Sequence, residues 1–464
     1  MRAETLSVYG HASVKTPNYD RLARGGVTFE QCHVQNTVCS PSRCSLITGQ
    51  YVHSMGHRTL WNLIKPYEHN LFGYLREAGY DVRIYGKNDM LAAESIPLFT
   101  DEFHQMRPAV RANHESVQPL QECNDFLFKP INGNYREHGD YANLKAGMDF
   151  IRSRKSGDKP FMLFLPLTFP HCPYTAHEPF YSMYDENCIA PLRPVCGKKP
   201  DYHGLIRSYR NLEKSNLKKI QAVYMGMISF TDALLGELMD CIGESGIADD
   251  TMLFVSSDHG DYAGDYGLVE KWPSGCEDVL TRVPLLVSGP GCRKGCRSNE
   301  QVELFDIMPT ILENAGIKTR HTHYARSLAP QLAGKPGDPE RAVFCEGGYN
   351  NNEFHCNEGC DRESRGFMKG PTNVYYPKGM QQREHRDSVG RASMIRTLTK
   401  KLVLRTYGGN ELYDLREDPL ELNNVYGEKS YSGIQAGLER RMLDWYIATS
   451  DSVPEEEDPR GLPD

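Results

Sequence analysis

The residue with the most chemical promise is Cys39, at the head of the run Cys39-Ser40-Pro41-Ser42-Arg43-Cys44-Ser45-Leu46-Ile47-Thr48-Gly49. Ser42 through Ile47 read as the start of a helix, and a helix amino terminus attracts an oxyanion through its free amide groups. Arg43 adds a fixed positive charge beside the cysteine, so the segment suits an anionic substrate. The plain structural alternative is a buried cysteine near a helix start, with Arg43 in a surface ion pair. A second cluster, Ser256-Ser257-Asp258-His259-Gly260, closes an expected strand, where open α/β sheets place their ligands. Asp258 is a hard oxygen donor suited to calcium, while the nitrogen of His259 suits that ion less well. An Asp-His pair after a strand is also a common cap and turn.

The elements that must position these residues are legible as short apolar runs alternating with helices. A helix over residues 71–78, stopped by Gly79, leads into a strand over 80–85. Apolar runs follow at 161–167 and 251–256, the second after a long helix over about 218–242. The pattern continues through 284–287, the turn Gly289-Pro290-Gly291 and a helix over 304–315. This alternation predicts an α/β fold with a large, mostly parallel mixed sheet covered by helices on both faces. Beyond about residue 332 the texture changes. Residues 346–390 read as long loops, 392–398 and 401–406 as antiparallel strands, and 431–448 as a helix. The expected organisation is a domain over 1–335, a smaller α+β subdomain with an antiparallel sheet over 336–450, and an acidic tail over 451–464.

Composition narrows the classes. A net charge of -8 over 464 residues, with basic residues spread along the chain, disfavours a nucleic-acid partner. No apolar run reaches the roughly 20 residues of a membrane span. The 14 cysteines lack the rhythm of a zinc ribbon. Cys292 with Cys296, and Cys356 with Cys360, are spaced for local bridges, and free thiols fit equally well.

The Cys39 segment matches, at each fixed position, the sulfatase signature C-x-P-S-R-x-x-L-x-T-G, and the chain resembles that family over most of its length. Tyr9-Gly10, Thr16-Pro17-Asn18, Asp306-Ile307-Met308-Pro309-Thr310 and Tyr413-Asp414-Leu415 with Asp418-Pro419 are similar to further family segments. The resemblance implies an alkaline-phosphatase-like fold and a sulfuric ester hydrolase. It implies that a formylglycine-generating maturation enzyme, reading Pro41 and Arg43, oxidises Cys39 to an aldehyde. Hydrated to a geminal diol, that group attacks sulfur with one hydroxyl and expels sulfate through the other. It also implies one calcium ion held by Asp258, His259 and the Cys39 position. Lys87 would stabilise the diol oxygen and the sulfate, while His171 and Lys271 would meet the leaving-group oxygen. The implied substrate is a sulfated small molecule or sugar.

Two departures stand out. Where many sulfatases carry G-K-x-H, this chain has Gly86-Lys87-Asn88-Asp89, and a carboxylate beside sulfate is unfavourable. Asp89 is therefore expected to point away, to bind a substrate hydroxyl, or to meet a cationic substrate group. The sequence also starts just after the place where the family carries an apolar strand and an Asp-Asp pair, so the amino terminus reads as truncated. No secretion signal is visible, which leaves cytoplasmic and secreted locations both open. Two rival readings remain: a formylglycine-dependent phosphonate or phosphodiester hydrolase, and a catalytically silent module. Arg383, His385 and Arg386 are further candidates for substrate contact.

Overall fold

The computed structural model of the chain describes residues 1–105, 123–358 and 374–453. Its strands, numbered along the chain, are β1 (Gly26–His33), β2 (Asp81–Tyr85), β3 (Glu102–His104), β4 (Phe161–Phe164), β5 (Leu253–Ser256), β6 (Arg282–Ser288), β7 (Cys296–Glu303), β8 (Val343–Gly347), β9 (Ala392–Arg396), β10 (Lys400–Arg405) and β11 (Glu411–Asp414). They form three sheets, in the orders β5-β6-β1-β7, β3-β2-β4 and β11-β10-β9-β8. In the first, β1 runs parallel to β7 and antiparallel to β6, which is antiparallel to β5. The second is parallel throughout and the third antiparallel.

One large, mostly parallel sheet is thus replaced by two smaller sheets, one mixed and one parallel. The break lies between β4 and β5, each of which pairs on one side only. Their side chains are half-buried, whereas Val27 and Phe29 of the interior strand β1 are fully buried. Helices still cover both faces, as the alternation along β4 makes plain. Phe161 and Leu163 pack with the helices Gly139–Ser153 and Leu217–Glu244, while Met162 and Phe164 pack with Cys39–Thr48, Leu71–Glu77 and Ile307–Asn314. Leu217–Glu244 is long and apolar enough to cross a membrane by length and composition alone. Most of it is buried here as a core helix, started by the Asn216 side chain accepting from the Lys219 amide.

The carboxyl-terminal strands β8 to β11, with the helix Ser432–Thr449, form the antiparallel unit read from the sequence. Within 346–390, read as loops, the helix Tyr376–Glu384 appears. Its buried side chains include Lys378, Gln381 and Gln382, so an apolar period could not announce it. Cys292 and Cys296 carry free thiols, and Cys360 lies outside the described residues, as does the tail from 454.

Candidate active site

Cys39 occupies the first position of its helix, with its side chain closed off from solvent. Nine of the ten residues of this helix are buried, Ser40, Ser42, Arg43 and Ser45 among them. Cys44 and Ile47 of this helix join the hydrophobic core, while its buried polar side chains require polar partners.

The carboxyl ends of β2, β4 and β5 converge on it. The Lys87 amide donates to Pro166 O at 2.8 Å. Gly86, at φ +143, lets the two chains close up, since a Cβ there would lie 2.4 Å from that same oxygen. Gly260 does likewise after β5, where a Cβ would lie 1.8 Å from Val279 O. Arg43 Nε donates to Asp258 Oδ2 at 2.7 Å and its Nη1 to Lys87 O at 2.8 Å, tying the helix to both strand ends. Cys39 Sγ lies 3.1 Å from His259 Nε2 and 3.9 Å from Lys87 Nζ. Lys271 Nζ donates to His171 Nε2 at 2.8 Å, and the rings of His171 and His259 are 6.2 Å apart. The residues picked out in sequence, Cys39, Arg43, Lys87, His171, Asp258, His259 and Lys271, are therefore gathered at one place. Asp89 joins them: its Oδ2 is 2.8 Å from Lys87 Nζ, so it does not point away. His385 and Arg386 make their contacts elsewhere, and Arg383 is exposed in the last turn of the helix Tyr376–Glu384. Arg386 stacks on Phe354 and donates to Asn351 O, and His385 lies against Tyr209.

The electrostatics favour a negative guest. Burial raises a thiol, but Lys271, Lys87 and His259 outweigh it and hold Cys39 well below its ordinary range. Burial opposes the charge on Lys271, yet Cys39 and Glu270 keep it protonated well above the usual lysine range. Burial and the adjacent Lys271 and Lys87 charges push His171 well below its ordinary value, leaving it neutral. Asp258, against the cost of burial, is held far down by Arg43.

Sequence reasoning missed the groups behind Lys271. Glu270, buried and in a left-handed conformation at φ +66, sets Oε1 at 3.3 Å from Lys271 Nζ and 2.9 Å from Lys378 Nζ. Lys378 also pairs with Glu358 at 2.7 Å. Burial opposes ionisation of Glu270, but Lys378, Lys271 and Arg210 lower it to about 2. Adjacency to Lys271 was the one available signal for Glu270; nothing in sequence pointed to Lys378.

A calcium ion takes roughly six to eight oxygens. The described site residues offer it two carboxylates, Asp258, with Oδ2 already held by Arg43, and Asp89, with Oδ2 paired to Lys87. The neighbouring donors are the sulfur of Cys39 and the nitrogens of His259 and His171. This set does not fit calcium.

Residues 1–317 match the family model described as Sulfatase. The chain is 28% identical to an arylsulfatase of Clostridium perfringens, over 93% of this chain and 89% of the relative. It is 27% identical to the multifunctional alkaline phosphatase superfamily protein PehA of Trinickia caryophylli, over 97% and 92% respectively. Its fold superposes on the phosphonate monoester hydrolase of Agrobacterium radiobacter with a TM-score of 0.76 at 21% identity, covering 99% of this chain and 98% of that one. With two thirds of its length accounted for by the family model, the chain belongs to the sulfatase family.

Proposed function

We propose that the protein hydrolyses a sulfate ester, using a formylglycine matured from Cys39. One observation carries this reading: Cys39 begins a buried polar helix with Lys87, His259 and the Arg43–Asp258 pair around it and the His171–Lys271 pair close by. When present, the formylglycine supplies a hydrated aldehyde as the nucleophile. The chain's own groups do the rest. Lys87 and Arg43 face the sulfate with charge fixed before the reaction, so little reorganisation is needed as negative charge builds. Lys271 holds a proton at Nζ, shared with His171 Nε2, where it can pass to the leaving oxygen. Asp89 stands beside Lys87 as the group that selects a substrate hydroxyl or cation. The substrate is a sulfated small molecule or sugar, and the maturation partner is a formylglycine-generating enzyme.

The test is co-expression with such an enzyme, followed by turnover of nitrophenyl sulfate, a nitrophenyl phosphate diester and a phosphonate monoester. Sulfate turnover that disappears in Cys39→Ala is the expected result. Faster turnover of the phosphorus esters would move the protein to the second reading, a phosphonate or phosphodiester hydrolase, which the superposed hydrolase makes the next class to assay. The third reading, a silent relative, predicts that all three substrates stay intact with the aldehyde in place.

A further inference from the structure

Two oxygens lie between the His171–Lys271 pair and the carboxyl-terminal part of the chain. Cys172 O accepts from His171 Nδ1 at 2.6 Å and from Tyr375 Oη at 3.0 Å. Glu270 Oε1 accepts from Lys271 Nζ at 3.3 Å and from Lys378 Nζ at 2.9 Å. Tyr375 immediately precedes the helix Tyr376–Glu384, and Lys378 lies in its first turn, so a single element reaches both members of the pair from behind. A carbonyl oxygen only accepts, so His171 Nδ1 carries hydrogen and Nε2 offers its lone pair to Lys271 Nζ, 2.8 Å away. Glu270 is buried and keeps a left-handed backbone, which a residue other than glycine holds only where its surroundings fix it.

We infer that Tyr375 and Lys378 are positioning residues for proton delivery to the leaving oxygen: Tyr375 fixes the carbonyl that orients His171, and Lys378 occupies the carboxylate that would otherwise draw Lys271 away. The inference rests on the sulfate-ester reading above. Alone beside Lys271, a buried Glu270 would form the closer ion pair, and the ammonium would leave His171 for it. Lys378 sits nearer to Oε1 than Lys271 does, and is itself steadied by Glu358 at 2.7 Å. Lys271 therefore keeps His171 Nε2 as the closer of these two partners and holds its proton where the ester oxygen departs. As the sulfur–oxygen bond breaks, that proton passes from Nζ to the oxygen, and the electron pair of the N–H bond stays on the nitrogen. Neither Tyr375 nor Lys378 gives or takes a proton in this step.

The experiment uses the full chain matured by co-expression, with the aldehyde at Cys39 verified by mass. The values of kcat and KM are measured for nitrophenyl sulfate and for an alkyl sulfate in Lys378→Met and Tyr375→Phe, each made alone and in a Lys271→Ala background. In Lys378→Met, kcat for the alkyl sulfate should fall by about 10- to 100-fold with KM little changed, and kcat for nitrophenyl sulfate should fall less. Tyr375→Phe should show the same preference with a smaller loss. In the Lys271→Ala background neither change should cost more, because both act through Lys271. Equal losses on the two esters, or losses that add to that of Lys271→Ala, overturn the inference and leave the sulfate-ester reading standing. A wild type that carries the aldehyde and leaves both esters intact removes that reading, and this inference with it. Thermal unfolding reports whether the variants fold. If Lys378→Met does not, Tyr375→Phe, which deletes one hydroxyl, decides by the same two criteria.

Discussion

At the scale of single residues, the buried charges near Cys39 are balanced in pairs, and removing one partner exposes the other. Glu270 is the clearest case. Glu270→Gln would leave Lys271 and Lys378 without their shared carboxylate and should destabilise the fold by about 3–5 kcal/mol, read from denaturant unfolding. The sign of the pH dependence follows. Glu270 is depressed to about 2, so its contribution is complete above the ordinary carboxylate range and fades as pH falls from about 4.5 toward 2. Stability of the wild type measured across that window should drop more steeply than that of Glu270→Gln. Lys271 tests the chemistry rather than the fold. If its proton goes to the leaving oxygen, Lys271→Ala should lower kcat by roughly 10²–10⁴-fold for an alkyl sulfate and less for nitrophenyl sulfate, whose leaving group needs less help. Equal losses on both substrates would remove Lys271 from that role. The residues legible from sequence were those lying in short motifs with their own local grammar, such as Cys39 to Gly49. Glu270 and Lys378 escaped because their pairing joins positions 108 apart, which no local pattern encodes.

Among the elements, the turn after β2 carries the tightest constraint. Gly86 combines a φ of +143 with a 2.4 Å approach of a would-be Cβ to Pro166 O. Gly86→Ala must therefore open the β2–β4 contact that holds Lys87, and should cost more than about 1 kcal/mol while impairing any activity that uses Lys87. A variant as stable as wild type would contradict this. Strand existence was readable where apolar residues ran together, as in β2, β4 and β5. Strand pairing was not, because whether β5 meets a parallel or an antiparallel neighbour depends on partners such as β6, 28 residues further on. The helix Tyr376–Glu384 hid for a different reason. Its inward face carries lysine and glutamine, and the ion pairs that make such a face possible lie on other elements.

Across the whole molecule, the carboxyl-terminal antiparallel sheet docks through buried charge. Arg396 donates to Asp278 at 2.9 Å, and Lys401 meets both Asp278 at 2.6 Å and Glu421 at 2.5 Å. Because Arg396, Lys401 and Glu421 are buried and Asp278 nearly so, their attraction is screened little by salt. Lys401→Met should thus lower stability by about 3–5 kcal/mol at low and at high ionic strength alike, a result that thermal unfolding at two salt concentrations would check. A loss that vanishes at high salt would mean that the pair is reached by solvent. This docking was invisible in the sequence, where the two halves differ in texture and nothing announces their interface.

The pairing of Cys39 with His259 has a consequence for biosynthesis. The two lie 220 positions apart, and in the folded chain the buried cysteine has His259 Nε2 3.1 Å from its sulfur. At about 5–20 residues per second, the ribosome needs roughly 10–45 seconds to travel from one to the other. Throughout that interval the thiol is on an unfinished chain that lacks its His259 neighbour. For the proposed maturation of Cys39, that interval is a window set by translation, and synonymous codons between positions 39 and 259 that slow the ribosome should raise the fraction of chains converted.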